Sequence, residues 1–173
     1  INGWYAGEVA WLAKRLAEEL GGTFLELERQ ADPSHRSQLA PILALLVQDG
    51  ATESAALLGL LAGLEAPQTV PIVVDMVEQG LDKPTQEALI AHLRRRPPGV
   101  PPLFLLTRSC AILDLDAVGP DEAIIFCPAN HSPPARVAPY PGAPGYEALA
   151  SCLASPEVRA RTEGVIAWRP AVA

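Results

Sequence analysis

Aspartate 75 closes the apolar run TVPIVVD (69–75), and its carboxylate is the first candidate for chemistry in this chain. A carboxylate at the end of a buried strand is placed to hold a metal ion or to orient a phosphate. Met76 follows, where hydrolytic chemistry would often use a second carboxylate to polarise a water. The structural alternative for Asp75 is a strand-end residue capping the turn VEQG. Other catalytic patterns are missing. The three histidines are far apart, with no HExxH or HxxxH spacing, and three cysteines form no CxxC pair. His131 precedes Ser132, but no GxSxG elbow accompanies them.

A carboxylate at a strand end needs a sheet to hold it. EVAWLAKRLAEEL (8–20) has helical spacing of Val9, Leu12, Leu16 and Leu20, and Gly21 and Gly22 stop it. TFLELE (23–28) alternates as a half-exposed strand does. Residues 37–48 and 52–64 suggest two apolar helices, separated at Gly50, with Thr52 as N-cap of the second. Gly59 and Gly63 suggest close packing there. TVPIVVD and PLFLLT (102–107) suggest strands buried on both faces, as in parallel sheets. Between them KPTQEALIAHLRRR (83–96) suggests a helix with Pro84 in its first turn and arginines at its C-terminal dipole. DEAIIFC (121–127) suggests another strand. The proline-rich stretch after it suggests a surface loop, 145–154 a short helix, and GVIAWRP a last strand. Strands alternating with helices predict an α/β fold: a three-layer, mostly parallel sheet with helices on both faces.

Length and composition bound the rest. A chain of 173 residues, 49% hydrophobic and 19% charged, suits one domain with a real core. A formal net charge of -7 disfavours nonspecific binding along nucleic acid, which needs a basic surface. No apolar segment reaches the length of a membrane span, and the cysteine usage suits a reducing cytoplasm. The opening INGWYAG carries no Met and no signal-like region, so an upstream strand is expected to be missing.

The order of apolar strand, Asp75, the turn VEQGLDKP, a helix, the strand PLFLLT and then Arg108-Ser109 resembles the second half of an ABC-type ATPase domain. The likeness covers about residues 70–127 and is to the non-transporter, SMC/Rad50-like kind, in which Asp-Glu, a GLD or GLH turn and Thr-His-Ser occupy these places. It implies a P-loop NTPase-like fold with ATP and magnesium as cofactors, and function as face-to-face pairs. Asp75 matches the magnesium ligand and Asp82 the D-loop aspartate. Arg108 stands where the histidine that senses the γ phosphate would be. Upstream, NGWYAGEV (2–9) falls at the phosphate-binding loop GxxxxGK[ST]. Asn2 replaces its first glycine, Gly3 lies inside the loop, Gly7 is kept, Glu8 replaces the lysine, and Val9 replaces the magnesium-binding hydroxyl. VQDGATES (47–54) falls at the signature loop, where Gly50 matches, and Gln38 stands for the family's glutamine.

The departures fall on groups that handle charge. Phosphoryl transfer depends on positioning and charge stabilisation. At about 4 Å and an effective dielectric of about 20, each unit charge pair is worth roughly 4 kcal/mol before screening. Glu8 in place of lysine turns that attraction into repulsion. Val9, Met76 and Arg108 remove a metal ligand, the water-polarising carboxylate and the sensing histidine. The resemblance therefore implies a degenerate ATPase-like subunit that does not hydrolyse ATP and acts by binding, as a homodimer or with an active ATPase partner. A genuine ATPase with unusual motifs and an α/β interaction module without nucleotide are the alternatives. Plainer structural roles are expected elsewhere: NGWYAG as an Asn-Gly turn, HLRRR as a solvated helix end, Trp4, Tyr5 and Trp11 as packing residues, and Cys110 as a buried small residue.

Overall fold

The computed structural model describes residues 6–25, 33–127, 133–146 and 149–150. Gly3 and the strand expected at GVIAWRP lie outside these residues. Among them the order is α1 (Ala6–Glu19), β1 (Thr23–Leu25), α2 (Pro33–Gln48), α3 (Ala55–Leu64), β2 (Ile72–Asp75), α4 (Lys83–Arg94), β3 (Leu103–Leu106), α5 (Cys110–Leu113), a 3-10 turn (Leu115–Ala117), β4 (Ile124–Phe126) and β5 (Ala135–Val137).

Three strands form a parallel sheet in the order β1-β2-β3, with Val73 opposite Phe24 on one side and Phe104 on the other. The alternation of a strand sends its side chains to two faces. Ile72, Val74, Leu25, Leu103 and Leu105 pack with α2, α3 and α4 residues in the larger core. Val73, Phe24, Phe104 and Leu106 pack with Ala13, Leu16 and Ala17 of α1. Helices thus cover both faces of the sheet, as the α/β pattern predicts. The central strand is buried at Ile72, Val73 and Val74, whereas all of β3 is half-exposed.

Local chemistry sets the helix ends. After α1, Gly21 takes a left-handed φ of 60° and the Gly22 N–H reaches the Ala17 carbonyl at 2.8 Å. A Cβ at Gly22 would stand 2.5 Å from the Pro71 carbonyl oxygen, so the chain approaches the foot of β2 closely there. Ser54, not Thr52, caps α3, accepting a bond from the Leu57 N–H at 3.1 Å. A Cβ at Gly63 would collide with the Leu25 side chain, which is the close packing its sequence suggests.

Five expectations give way. DEAIIFC contributes β4, but β4 lies outside the parallel sheet and pairs antiparallel with β5. β5 sits inside the proline-rich stretch expected to be a loop; its register, Ile124 opposite Val137, buries both residues in a small second core with Leu149. The end of α4 is not simply solvated either. The Arg94 side chain is only 16% exposed and pairs with Asp114 and Glu122. Trp11 is 65% exposed and so does not pack as expected, and Cys110 is half-buried at the start of α5.

Candidate functional site

The carboxyl ends of β2 and β3 lie side by side, because Asp75 is in register with Leu106. Open parallel sheets bind ligands at this end. Asp75 ends β2 half-buried, and its Oδ1 is buried without a hydrogen-bond partner among the described residues. Burial pushes its carboxyl above the ordinary aspartate range. The Met76 backbone opposes that shift, Glu78 adds to it by repulsion, and Arg108 opposes it by attraction. The VEQG turn is held by backbone bonds, from Gln79 N–H to the Met76 carbonyl at 2.8 Å and from Leu81 N–H to the Glu78 carbonyl at 3.1 Å.

Met76 has a φ of 51°, a left-handed conformation that costs an unbranched residue about 1–2 kcal/mol. That kink turns the chain off the sheet within one residue of Asp75. It also brings Glu78 across to β3, where its Oε2 accepts from the Thr107 hydroxyl at 2.7 Å and its Oε1 from the Arg108 N–H at 3.0 Å. Both Glu78 oxygens are thereby engaged. The sequence reading did not single out Glu78 or Thr107. The available signal was a carboxylate three residues beyond the strand end and a hydroxyl just beyond the next strand.

A second group of bonds fixes the turn after Gly80. Asp82 caps α4, its Oδ1 accepting from the Thr85 N–H at 2.9 Å, while its Oδ2 accepts from the Thr52 hydroxyl at 2.8 Å. The Thr52 N–H donates to the buried Thr85 hydroxyl at 2.8 Å. These bonds hold the exposed Asp82 carboxyl below its usual range, the Thr85 bonds contributing most. Asp82 and the 51–54 segment, far apart in sequence, are thus joined. Gly50 lies two residues before this junction, and its φ of 102° ends α2, with the Ala51 N–H bonding to the Leu46 carbonyl at 2.8 Å.

The remaining candidates are placed more simply. Gly7, Glu8 and Val9 lie in the first turns of α1, and their side chains are outside the description. Since α1 ends beside the foot of β2, it begins toward the carboxyl ends of the strands, the end that carries Asp75. Gln38 is exposed within α2. The structure brings Asp75 and Arg108 into electrostatic reach and places Asp82 with Thr52.

As a metal site the arrangement offers one carboxylate with an open oxygen. Among the described residues no group of three or more His, Cys, Asp or Glu side chains could hold a metal ion. Asp75 fits magnesium only as one ligand among waters or phosphate oxygens, the usual mode for that ion. No helix among the described residues is long and apolar enough to cross a membrane. No family model, curated protein or solved structure matches the chain.

Proposed function

We propose that this chain is a degenerate ABC-type ATPase-like subunit that acts by binding a protein partner, without hydrolysing ATP. The observation that carries the reading is the pairing of a buried, unpartnered Asp75 oxygen with the apolar Met76 beside it. A metal-binding position is kept there while the adjoining base is lost. Glu78 does not replace that base, because both its oxygens hold the end of β3. The family pattern of Asp75, turn, Asp82, helix and neighbouring strand is matched in order by β2, the Gly80 turn, α4 and β3. The P-loop NTPase-like fold belongs to this proposal, as does a partner meeting the exposed surface around Gly50, Thr52 and Asp82.

Titration with a fluorescent ATP analogue, with and without magnesium, tests the reading. The expected result is no micromolar, magnesium-dependent binding and no phosphate release by the chain alone. Magnesium-dependent turnover would sink it. Glu8→Lys with Val9→Ser should raise nucleotide affinity, by roughly tenfold or more from the reversed charge. An unchanged affinity would break the match between residues 2–9 and a phosphate-binding loop. Size measurement of the chain alone and with an ATPase candidate checks the partner: a complex is expected, and persistent monomers would count against it.

A further inference from the structure

α2 has the composition of a buried helix and the position of a surface one. Between Arg36 and Asp49 it carries no charged residue, in a chain whose formal net charge is -7. Leu39, Leu43 and Leu46 are buried in the larger core. The opposite side is apolar as well: Pro41 and Ala44 are exposed, Leu45 is 54% exposed and Val47 48%. The neighbouring α3 is also free of charge from Ala55 to Leu64, and its Leu58 and Ala62 are half-exposed. A helix apolar on all sides is ordinarily enclosed. An apolar face of this extent on the surface marks a place of association.

The exposure pattern names the occupant. From Arg36 to Asp49 the order of buried and exposed positions reads nearly the same from either end. A two-fold axis passing between Ile42 and Leu43 sets the helix antiparallel to a second α2. On the outer side Ala40 then meets the partner's Leu45, a small residue against a large one, and Pro41 meets the partner's Ala44. Ser37 meets the partner's Gln48, polar against polar. A closed two-fold pair needs this self-complementarity. The helix ends decide the direction. Arg36, paired with Glu53, stands at one end, and Asp49, paired with Arg95, at the other. Antiparallel pairing sets Arg36 beside the partner's Asp49 and opposes the helix dipoles, whereas parallel pairing sets like charges together. The 16 residues of α2 span about 24 Å. With the half-exposed part of α3 they offer a surface on the scale of the roughly 800 Å² that each partner of a stable dimer buries.

We propose that this chain forms a two-fold dimer in which α2 packs antiparallel against α2 of a second copy. The contact lies on the helical layer, side by side, and not at the end of the sheet that carries Asp75. It is therefore separate from the face-to-face pairing that the ABC-type resemblance implies. A complex with an ATPase partner would hold two chains of each kind. The dimer does not rest on nucleotide chemistry: it stands if the ATPase-like reading fails, and that reading stands if the dimer fails.

Sedimentation of the full chain at tens of micromolar gives the first test, with a species of twice the 18.3 kDa chain mass expected. Leu45→Glu is expected to weaken the dimer at least about a hundredfold, because it buries a charge in the apolar contact. Trp11→Glu, an exposed change on α1, should leave it unchanged. A monomeric chain, or a dimer indifferent to Leu45→Glu, would overturn the proposal. Disulfide crosslinking then reads the direction without depending on affinity. Two copies of position 44 lie about 5 Å apart along the axis of the antiparallel pair, and two copies of position 48 about 16 Å. Ala44→Cys should link into covalent dimers under oxidation, and Gln48→Cys and the unaltered chain should not. Linking of both variants would mean parallel helices, and linking of neither a different face; either result sinks the proposal.

Discussion

Asp75 is held at an energetic disadvantage. Its carboxyl is raised by burial, so the folded state is penalised wherever the group is charged. The penalty is present in full above the raised folded value. It fades as pH falls through that value toward the ordinary 3.8, below which both states are protonated. Asp75→Asn should therefore stabilise the protein at pH 7, because it removes the charge that burial disfavours. The gain should shrink steadily toward pH 4, as read by urea denaturation at a series of pH values. Asp82 has the opposite sign. Its lowered carboxyl contributes stability above about the usual value, which is lost as pH falls through the folded one. Asp82→Ala should lower the melting temperature at pH 7 and leave it little changed at strongly acid pH. The place of Asp75 at the end of a buried strand was legible in the sequence, since an apolar run that stops at a carboxylate is a local signal. The engagement of Glu78 was not, because its partners are on another strand and depend on the kink at Met76.

At the scale of elements, turns separate two kinds of glycine. Gly50 is left-handed with open space around the place of a Cβ. Gly80 is also left-handed, but a Cβ there would stand 2.9 Å from the Ala56 Cβ. Gly50→Ala should cost about 1 kcal/mol for the backbone alone. Gly80→Ala should cost about 2 kcal/mol or more, because α3 must shift as well. Chemical denaturation of the two variants separates these cases; equal losses would mean that α3 yields freely. The strands and helices from α1 to β3 were readable because periodicity, glycine stops and caps agree with one another along that stretch. Thr52 shows the limit of such reading. It satisfies the local rule for an N-cap, yet Ser54 takes that role and Thr52 reaches Asp82, 30 residues on.

Across the whole molecule, the β4-β5 pair is joined to the parallel sheet by a small set of groups. Arg94 links the end of α4 to Asp114, Glu122 and the Leu113 and Asp114 carbonyls. Burial disfavours its charge, but the bonds to Glu122 and Asp114 outweigh this and raise its pKa. Arg94→Ala should destabilise by about 2 kcal/mol, since it strips charged bonds from two carboxylates. Hydrogen exchange should show the amides of β4 and β5 opening first, while those of β2 stay protected. This non-local pairing was hidden in the sequence. β5 is short and flanked by prolines, and only its contact with β4 makes it a strand.

The Arg94 junction also gives the two parts of the protein different sensitivities to their medium. The parallel sheet is closed by apolar side chains, whose association is strengthened or unaffected by added salt. The β4-β5 pair is fastened in part by charges, and Glu122 and Asp114 remain 34% and 41% exposed. Ionic strength screens such partly exposed pairs. Raising sodium chloride should therefore loosen the hairpin while leaving the sheet intact, turning one melting transition into two.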